Sequence, residues 1–298
     1  MQIGSPHLAP SFDCDDPMPR PGRPARRTAF AIWRAIIKTA LLILPAGLYA
    51  SATEKSSTDR KPVSVMTFNL LYDSRRNTKS IELIRRHDPD ILCLTELTPD
   101  FARQFNRRLH KRYRYQALYP KKGTWGVGLL SRYPLSNPTV FPIRPHRIPG
   151  ASATITIGKR TLKAVCVHLF PPIAKRKKSD GLFTTLLKNK RLRKNQAQYL
   201  VSRFRTWKNP ILLMGDMNEE RGQDAMAVFS KNGYRHACHQ ATDRHCGATY
   251  PGATIPFPAL AELDHILGKN VTFTKAQVIK GGGSDHYPVK AVFYFTQH

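Results

Sequence analysis

The chain has 298 residues, 41% of them hydrophobic, enough to fill a sizeable core in one large domain or two small ones. That share excludes a chain too polar to fold. Against 20 acidic residues stand 48 Lys and Arg, a net charge of +28, which suits a surface that gathers polyanions: nucleic acid, acidic lipid or a phosphorylated substrate. A general bias toward basic sequence is the plain alternative.

Residues 1–27 are Pro-rich and polar, with Arg20, Arg23, Arg26 and Arg27 toward their end. The chain then turns apolar, and the uncharged run from Thr39 to Thr53 is shorter than the roughly 20 residues a membrane span needs. It closes on Ala50-Ser51-Ala52, a small-x-small pattern. A basic flank, a short apolar core and a small-residue site read as a secretory leader over residues 1–52, followed by a linker over 53–62. The protein is then secreted or periplasmic, or membrane-anchored if the leader stays uncleaved; Arg26-Arg27 is also the pair a twin-arginine signal carries. After Ala52, 42 basic and 17 acidic residues remain, so the leader does not create the charge.

In chain order, Val63 to Leu70 alternates as a strand, and Thr78 to His87 places Ile81, Leu83 and Ile84 at helical spacing. Ile91 to Leu97 is an almost unbroken apolar run, as in a buried central strand. Pro99 opens a second helix with Phe101, Phe105 and Leu109 on one face. Short strands are expected at 113–119, 127–133, 139–143, 152–157 and 161–169, the last two joined by a Gly158-Lys159 hairpin. A long basic helix over 181–207 offers Leu186, Leu187, Tyr199, Leu200 and Phe204 for burial. A strand at 210–218, a helix over 223–232 and strands from Leu263, Val271 and Val289 complete the chain. Strands outnumber helices, and helices separate strand groups, so packed sheets with helices outside are expected in a single domain, residues 63–298. No internal repeat interrupts it.

Cys93 and Cys166 lie in apolar runs and read as small buried hydrophobes. Cys238 and Cys246 bracket a short polar segment and suit a local disulfide in an exported protein. His236, His239 and His245 keep a zinc site open there.

Polar residues of one chemical kind recur at strand ends: Asn69, Glu96, His168, Asp216 and Asn218, Asp264, and Asp285-His286 after three glycines. Acids are only 17 of the 246 residues after the leader, yet four stand at or near apolar strand ends. A Glu96–Asp285 pair suits a hard divalent cation such as Mg²⁺. A histidine held by a carboxylate can take a proton from water, and amides with another histidine can hold phosphoryl oxygens. Together these describe phosphate-ester hydrolysis.

Seven short motifs stand in the order seen in the endonuclease/exonuclease/phosphatase superfamily, which this sequence resembles over roughly residues 63–295. They are Phe68-Asn69-Leu70, Leu94-Thr-Glu96-Leu, Gly128-Leu-Leu-Ser-Arg132-Tyr-Pro, Val167-His168-Leu, Gly215-Asp216-Met-Asn218, Leu263-Asp264-His-Ile and Ser284-Asp285-His286-Tyr-Pro. The resemblance implies a four-layer α/β sandwich of the deoxyribonuclease I kind and dependence on Mg²⁺, with Mn²⁺ as a substitute. It implies Glu96, Asp285 and Asn69 at the metal, His286 as base oriented by Asp264, and Asp216, Asn218 and His168 at the phosphate. Arg132 is expected among the substrate contacts. Glu262-Leu263 stand where a basic residue is common in the family, and Gly126-Val-Gly128 lacks an acidic partner for His168, both departures from its deoxyribonucleases.

Substrate follows from charge. Lys175 to Lys178 and Lys188 to Lys194 contribute nine bases after the His168 strand, and Arg103 to Lys122 interleaves bases with Tyr113, Tyr115 and Tyr119. Near a catalytic cleft these fit a nucleic-acid backbone, DNA or RNA, cut with little sequence selectivity. The alternative is a lipid head-group phosphodiesterase or phosphatase resting on anionic membrane. No protein partner is indicated.

Overall fold

Alternation and apolar runs resolve into twelve strands and five α-helices in the computed structural model, which describes residues 61–174, 180–242 and 245–296. The leader, with Cys14 and Arg26-Arg27, nearly all of the linker, and Lys175 to Lys178 lie outside the described residues. The strands are β1 (Val63–Asn69), β2 (Ile91–Thr95), β3 (Tyr115–Tyr119), β4 (Val127–Ser131), β5 (Leu135–Pro142) and β6 (Pro149–Ile157). They continue with β7 (Arg160–His168), β8 (Ile211–Asp216), β9 (Arg235–His236), β10 (Asp264–Lys269), β11 (Val271–Val278) and β12 (Val289–Phe295). The helices are α1 (Asn77–His87), α2 (Pro99–Leu109), α3 (Leu182–Arg203), α4 (Asp224–Lys231) and α5 (Ala237–Thr242).

Two six-stranded mixed sheets result, in the orders β11-β12-β1-β2-β4-β3 and β5-β6-β7-β8-β10-β9. Each is built around one parallel pair joined through a helix: β1-α1-β2 in the first sheet and β7-α3-β8 in the second. Burial on both faces explains why all five residues of β2 and all six of β8 are inaccessible. Between the sheets lies a core that includes Val65, Val127, Ala153 and Met214. Outside the first sheet, α1 and α2 cover Phe68, Leu92 and Leu94, and outside the second α3 and α4 cover Val165, Val167 and Leu213. This is the expected four-layer sandwich.

Local chemistry sets the element ends. Thr98 Oγ1 accepts from Phe101 N at 3.3 Å and Pro99 takes the first helical position of α2. At Gly215, φ is +145° and a Cβ would lie 1.7 Å from the Val167 carbonyl oxygen, so only glycine lets β7 and β8 close up just before Asp216.

Three details depart from expectation. Cys93 and Cys166 are buried but not free: they form a disulfide that joins the middle of β2 to β7 and therefore one sheet to the other. Facing positions on packed sheets bring their sulfurs together, which neither apolar run reveals alone. The Cys238–Cys246 disulfide is present as expected, but its segment forms the short helix α5 beside the two-residue strand β9. Third, α3 buries Thr185, Asn189, Leu192, Arg193, Gln196, Ala197 and Leu200, leaving Leu186 and Leu187 exposed. Its inner face is partly polar because it serves backbone groups of the loop after β7: Asn189 Nδ2 donates to the carbonyls of Pro172 and Ala174, and Gln196 Oε1 accepts from Phe170 N.

Candidate active site

The registers bring the expected residues to one edge. Asn69 pairs across with Thr95, the residue before Glu96; His168 pairs with Asp216 in the parallel β7–β8 ladder; and Asp264 pairs with Asp216 in the antiparallel β8–β10 ladder. Thus the C-terminal ends of β1, β2, β7 and β8 and the N-terminal end of β10 meet.

Asp216, 1% exposed, is the hub. Its Oδ2 accepts from Asn69 Nδ2 at 3.0 Å and lies 3.5 Å from His168 Nε2 and 3.8 Å from His286 Nε2, while its Oδ1 accepts from Asn218 N at 2.8 Å. Asn69 Nδ2 also faces Glu96 Oε1 at 3.3 Å, and Glu96 Oε2 accepts from Tyr72 N at 2.9 Å. Asn69 therefore clamps the carboxylates of both sheets with its amide nitrogen. Asn218 Nδ2 donates to the Leu169 carbonyl. Glu96 and Asn218 hold left-handed backbone, with φ of 55° and 51°, a conformation that costs on the order of 1–3 kcal/mol in residues other than glycine. Glu96 follows β2 directly and Asn218 stands two residues past the end of β8.

His286 Nδ1 faces Asp264 Oδ2 at 2.7 Å, so Nδ1 carries the proton and Nε2 turns toward Asp216. Burial alone would lower the imidazole, but Asp264, Asp216 and Asp285 outweigh it and raise His286 from 6.5 to about 10. Asp285 is pushed upward by burial, with His286 opposing the shift and Glu96 reinforcing it. Asp264 Oδ1 is buried without a partner. Among the described residues no Lys or Arg forms an ion pair with Glu96, Asp216, Asp264 or Asp285. Hard oxygen donors with unmatched negative charge fit a divalent cation. Donor atoms of Asp216, Asp264 and His286 also lie within 4.8 Å of one another, although Asp264 Oδ2 is taken up by the imidazole.

The family model described as Endonuclease/Exonuclease/phosphatase matches residues 66–286, a span that starts just before Asn69 and ends on His286. The chain belongs to this family. Its fold is shared with a functionally unknown conserved protein from Enterococcus faecalis, at 17% identity and TM-score 0.64, covering 78% of this chain and 99% of that one. An endonuclease/exonuclease/phosphatase from Bacteroides vulgatus matches at 17% identity and TM-score 0.64, covering 79% and 99%. D. rerio TDP2 complexed with single strand DNA product matches at 14% identity and TM-score 0.61, covering 78% and 98%. No curated protein matches the sequence.

For this family member, eight of the nine expected residues converge: Asn69, Glu96, His168, Asp216, Asn218, Asp264, Asp285 and His286. Arg132 does not. Because β4 runs antiparallel to β2, Ser131 lies opposite Ile91, and Arg132 follows at the far edge, where it pairs with Asp88 and Asp90. The four residue steps of β2 put that end roughly 14 Å from the Glu96 end. Of that motif, Gly128 pairs with Leu94 near the Glu96 end of β2, while its arginine lies at the other end.

Sequence reasoning missed the supports. Ser284 Oγ donates to the Asn69 carbonyl at 2.7 Å and accepts from His286 N at 3.0 Å, tying the glycine loop to β1. Thr249 Oγ1 accepts from Leu263 N and Asp264 N, and the Tyr250 ring lies 5.0 Å from His286. A Cβ on Gly252 would sit 2.6 Å from the His286 backbone carbon, so this segment presses on the Asp285-His286 loop. Ser284 stood inside a quoted motif; Thr249 and Tyr250 carry no local signal. The departure at Glu262 has a structural account: its carboxylate accepts from His245 Nδ1 at 2.8 Å and lies 3.8 Å from His236 Nε2. His236 is also hydrogen-bonded to His265, and Cys238 is oxidised, so His236 and His245, two of the three histidines expected for zinc, are engaged in this network.

Proposed function

We propose that this protein is an exported, divalent-metal-dependent phosphoric ester hydrolase acting on phosphoesters presented at an anionic lipid surface. The arrangement that carries the chemistry is Asp264–His286–Asp216, with Nδ1 held at 2.7 Å and Nε2 directed into the site. His286 Nε2 takes the proton of the attacking water while Asp264 keeps the ring in one tautomer. His168 Nε2 and Asn218 hold phosphoryl oxygens as charge builds, and Asp216 positions both by its contacts to them. Glu96, braced against Asp216 by Asn69, and Asp285 would hold Mg²⁺ or Mn²⁺, whose charge would polarise the phosphate and offset the carboxylates that raise His286. The two disulfides support an oxidising compartment, in line with the leader. The lipid surface is preferred because apolar side chains stand exposed at this edge, a feature a phosphate-backbone groove does not need.

A nuclease of low sequence selectivity is the second reading. It draws on a cleft of about 660 Å³ lined by Lys121, Trp125, Arg144, His146 and Arg147. There Trp125 stacks with His146 at 5.9 Å, and His146 contacts Phe170, two residues past His168. Aromatic rings among cations suit single-stranded bases, and a TDP2 structure holds single-strand DNA product. The test is a panel of sphingomyelin vesicles, phosphoinositide vesicles, duplex DNA and RNA, with wild type and His286→Ala, in Mg²⁺ and in EDTA. Release of phosphate or phosphocholine by wild type in Mg²⁺ alone is expected. Cleaved nucleic acid with intact lipid selects the second reading, and no hydrolysis of any substrate rejects both.

A further inference from the structure

Three segments ring the active-site edge and expose apolar side chains, the first two with cations in the same stretch. The loop after β1 exposes Tyr72, Arg75 and Arg76 and is held to the catalytic loop by Ser74 Oγ, which donates to the Gly283 carbonyl. Following β7, the chain exposes Ile173 at 68% and enters α3, whose first turns expose Leu182 at 64%, Phe183 at 74%, Leu186 and Leu187. The third segment leaves Tyr250, donates Gly252 N to the Asp285 carbonyl, and exposes Phe257 at 69% and Leu260 at 77%.

Position decides what α3 can do. A helix connecting two parallel strands runs opposite to them, so its N-terminus starts at the edge where β7 ends in His168. Asn189 is tied to the loop just past His168, and the seven residues back to Leu182 carry the helix roughly 10 Å further outward. Leu182, Phe183, Leu186 and Leu187 fall at i, i+1, i+4 and i+5, one stripe that flanks the core-packed face and is exposed on the first turns of the helix. On the following turns Arg191 and Lys194 are exposed and form no ion pair among the described residues. No described helix is long and apolar enough to cross a membrane.

We propose that this edge docks the active site onto an anionic bilayer, with the α3 tip and the Phe257–Leu260 loop entering the head-group region and the flanking Arg and Lys resting on lipid phosphates. This deepens the lipid-surface reading above and rests on it for its purpose. Aliphatic Leu and Ile have nothing to stack on in a nucleic acid, whereas interfacial segments combine such residues with cations. A second copy of the chain would bring another +28 against the same cations, which opposes self-association. An acidic lipid surface complements both the charge and the apolar tips.

The experiment uses the full-length chain silenced by His286→Ala, sedimented with phosphatidylcholine vesicles with and without phosphatidylglycerol. Binding only with phosphatidylglycerol is expected. Adding Leu182→Ser and Phe183→Ser together should weaken it by about tenfold or more, since two apolar side chains leave the interface, and Arg191→Glu with Lys194→Glu should weaken it further. In an otherwise wild-type chain, Leu182→Ser/Phe183→Ser should hydrolyse soluble bis(p-nitrophenyl) phosphate at the wild-type rate, which also shows that it folds. Equal vesicle binding with and without the serine substitutions overturns the proposal. So does binding independent of phosphatidylglycerol, a dimer that the serines dissociate, or a DNA oligonucleotide whose binding they abolish. Loss of hydrolysis with vesicle binding intact would instead strike the catalytic reading and leave the docking edge standing.

Discussion

The two ends of β2 carry acids in opposite states. Where the strand begins, Asp88 and Asp90 are matched by Arg132, with Arg112 also on Asp88. Burial opposes the charge on Asp88, yet the two guanidinium groups hold its carboxyl below the ordinary range. Where the strand ends, Glu96 joins Asp216, Asp264 and Asp285 with no Lys or Arg partner among the described residues, and burial drives Asp264 and Asp285 upward. One edge is a completed guanidinium–carboxylate network; the other sets four carboxylates against imidazole and amide groups alone among the described residues. Charged residues at a strand end therefore become informative only once their partners are known.

The largest expected contrast is catalytic. His286→Ala should reduce kcat/KM on a soluble phosphodiester by on the order of 10³, while Arg132→Ala leaves it within a factor of about two; comparable losses in both variants would erase the distinction between the edges. Glu96→Gln should raise the Mg²⁺ concentration for half-maximal activity by roughly tenfold or more, as loss of even an outer metal partner does. A metal titration of rate reads this directly.

Stability effects come next. Removing the inter-sheet disulfide with Cys93→Ala and Cys166→Ala should cost about 2–5 kcal/mol in denaturant unfolding and weaken both edges together. Metal-free protein should also show a pH signature of His286. Its folded value, about 10, lies above the ordinary 6.5, so its stabilisation is complete below pH 6.5 and is lost as pH rises through 10. Urea midpoints of wild type and His286→Gln in EDTA should accordingly converge on the alkaline side; a gap that widens there would contradict the assigned proton. Smallest is Arg132→Ala, at about 1 kcal/mol in thermal unfolding, because the pair is partly solvated.

Much of this was legible in the chain. Alternation and apolar runs located most of the regular strands, and eight of the nine polar residues singled out beside them meet at one edge. The failures share one cause. Arg132 sat in a genuine strand-end motif, but a strand has two ends, and its own pattern does not say whether it runs with or against its neighbour. Cys93 and Cys166 looked apolar because they are buried; their partnership depends on how two sheets face each other. In α3, Leu186 and Leu187 invited burial by hydropathy, whereas Asn189, Arg193 and Gln196 took the inner face because buried carbonyls and Glu219 required donors there.

By itself the sequence determined most of the longer strands and helices, because side-chain periodicity is a local property read one residue at a time, whereas β9 and α5 carried no such period. It also determined which acids, amides and histidines close those segments. Only the tertiary structure decided which strand ends share an edge, which cysteines meet, and which face of α3 turns outward. Those outcomes depend on strand direction, register and sheet packing, which arise from contacts between residues far apart in the chain and have no signature within any one segment.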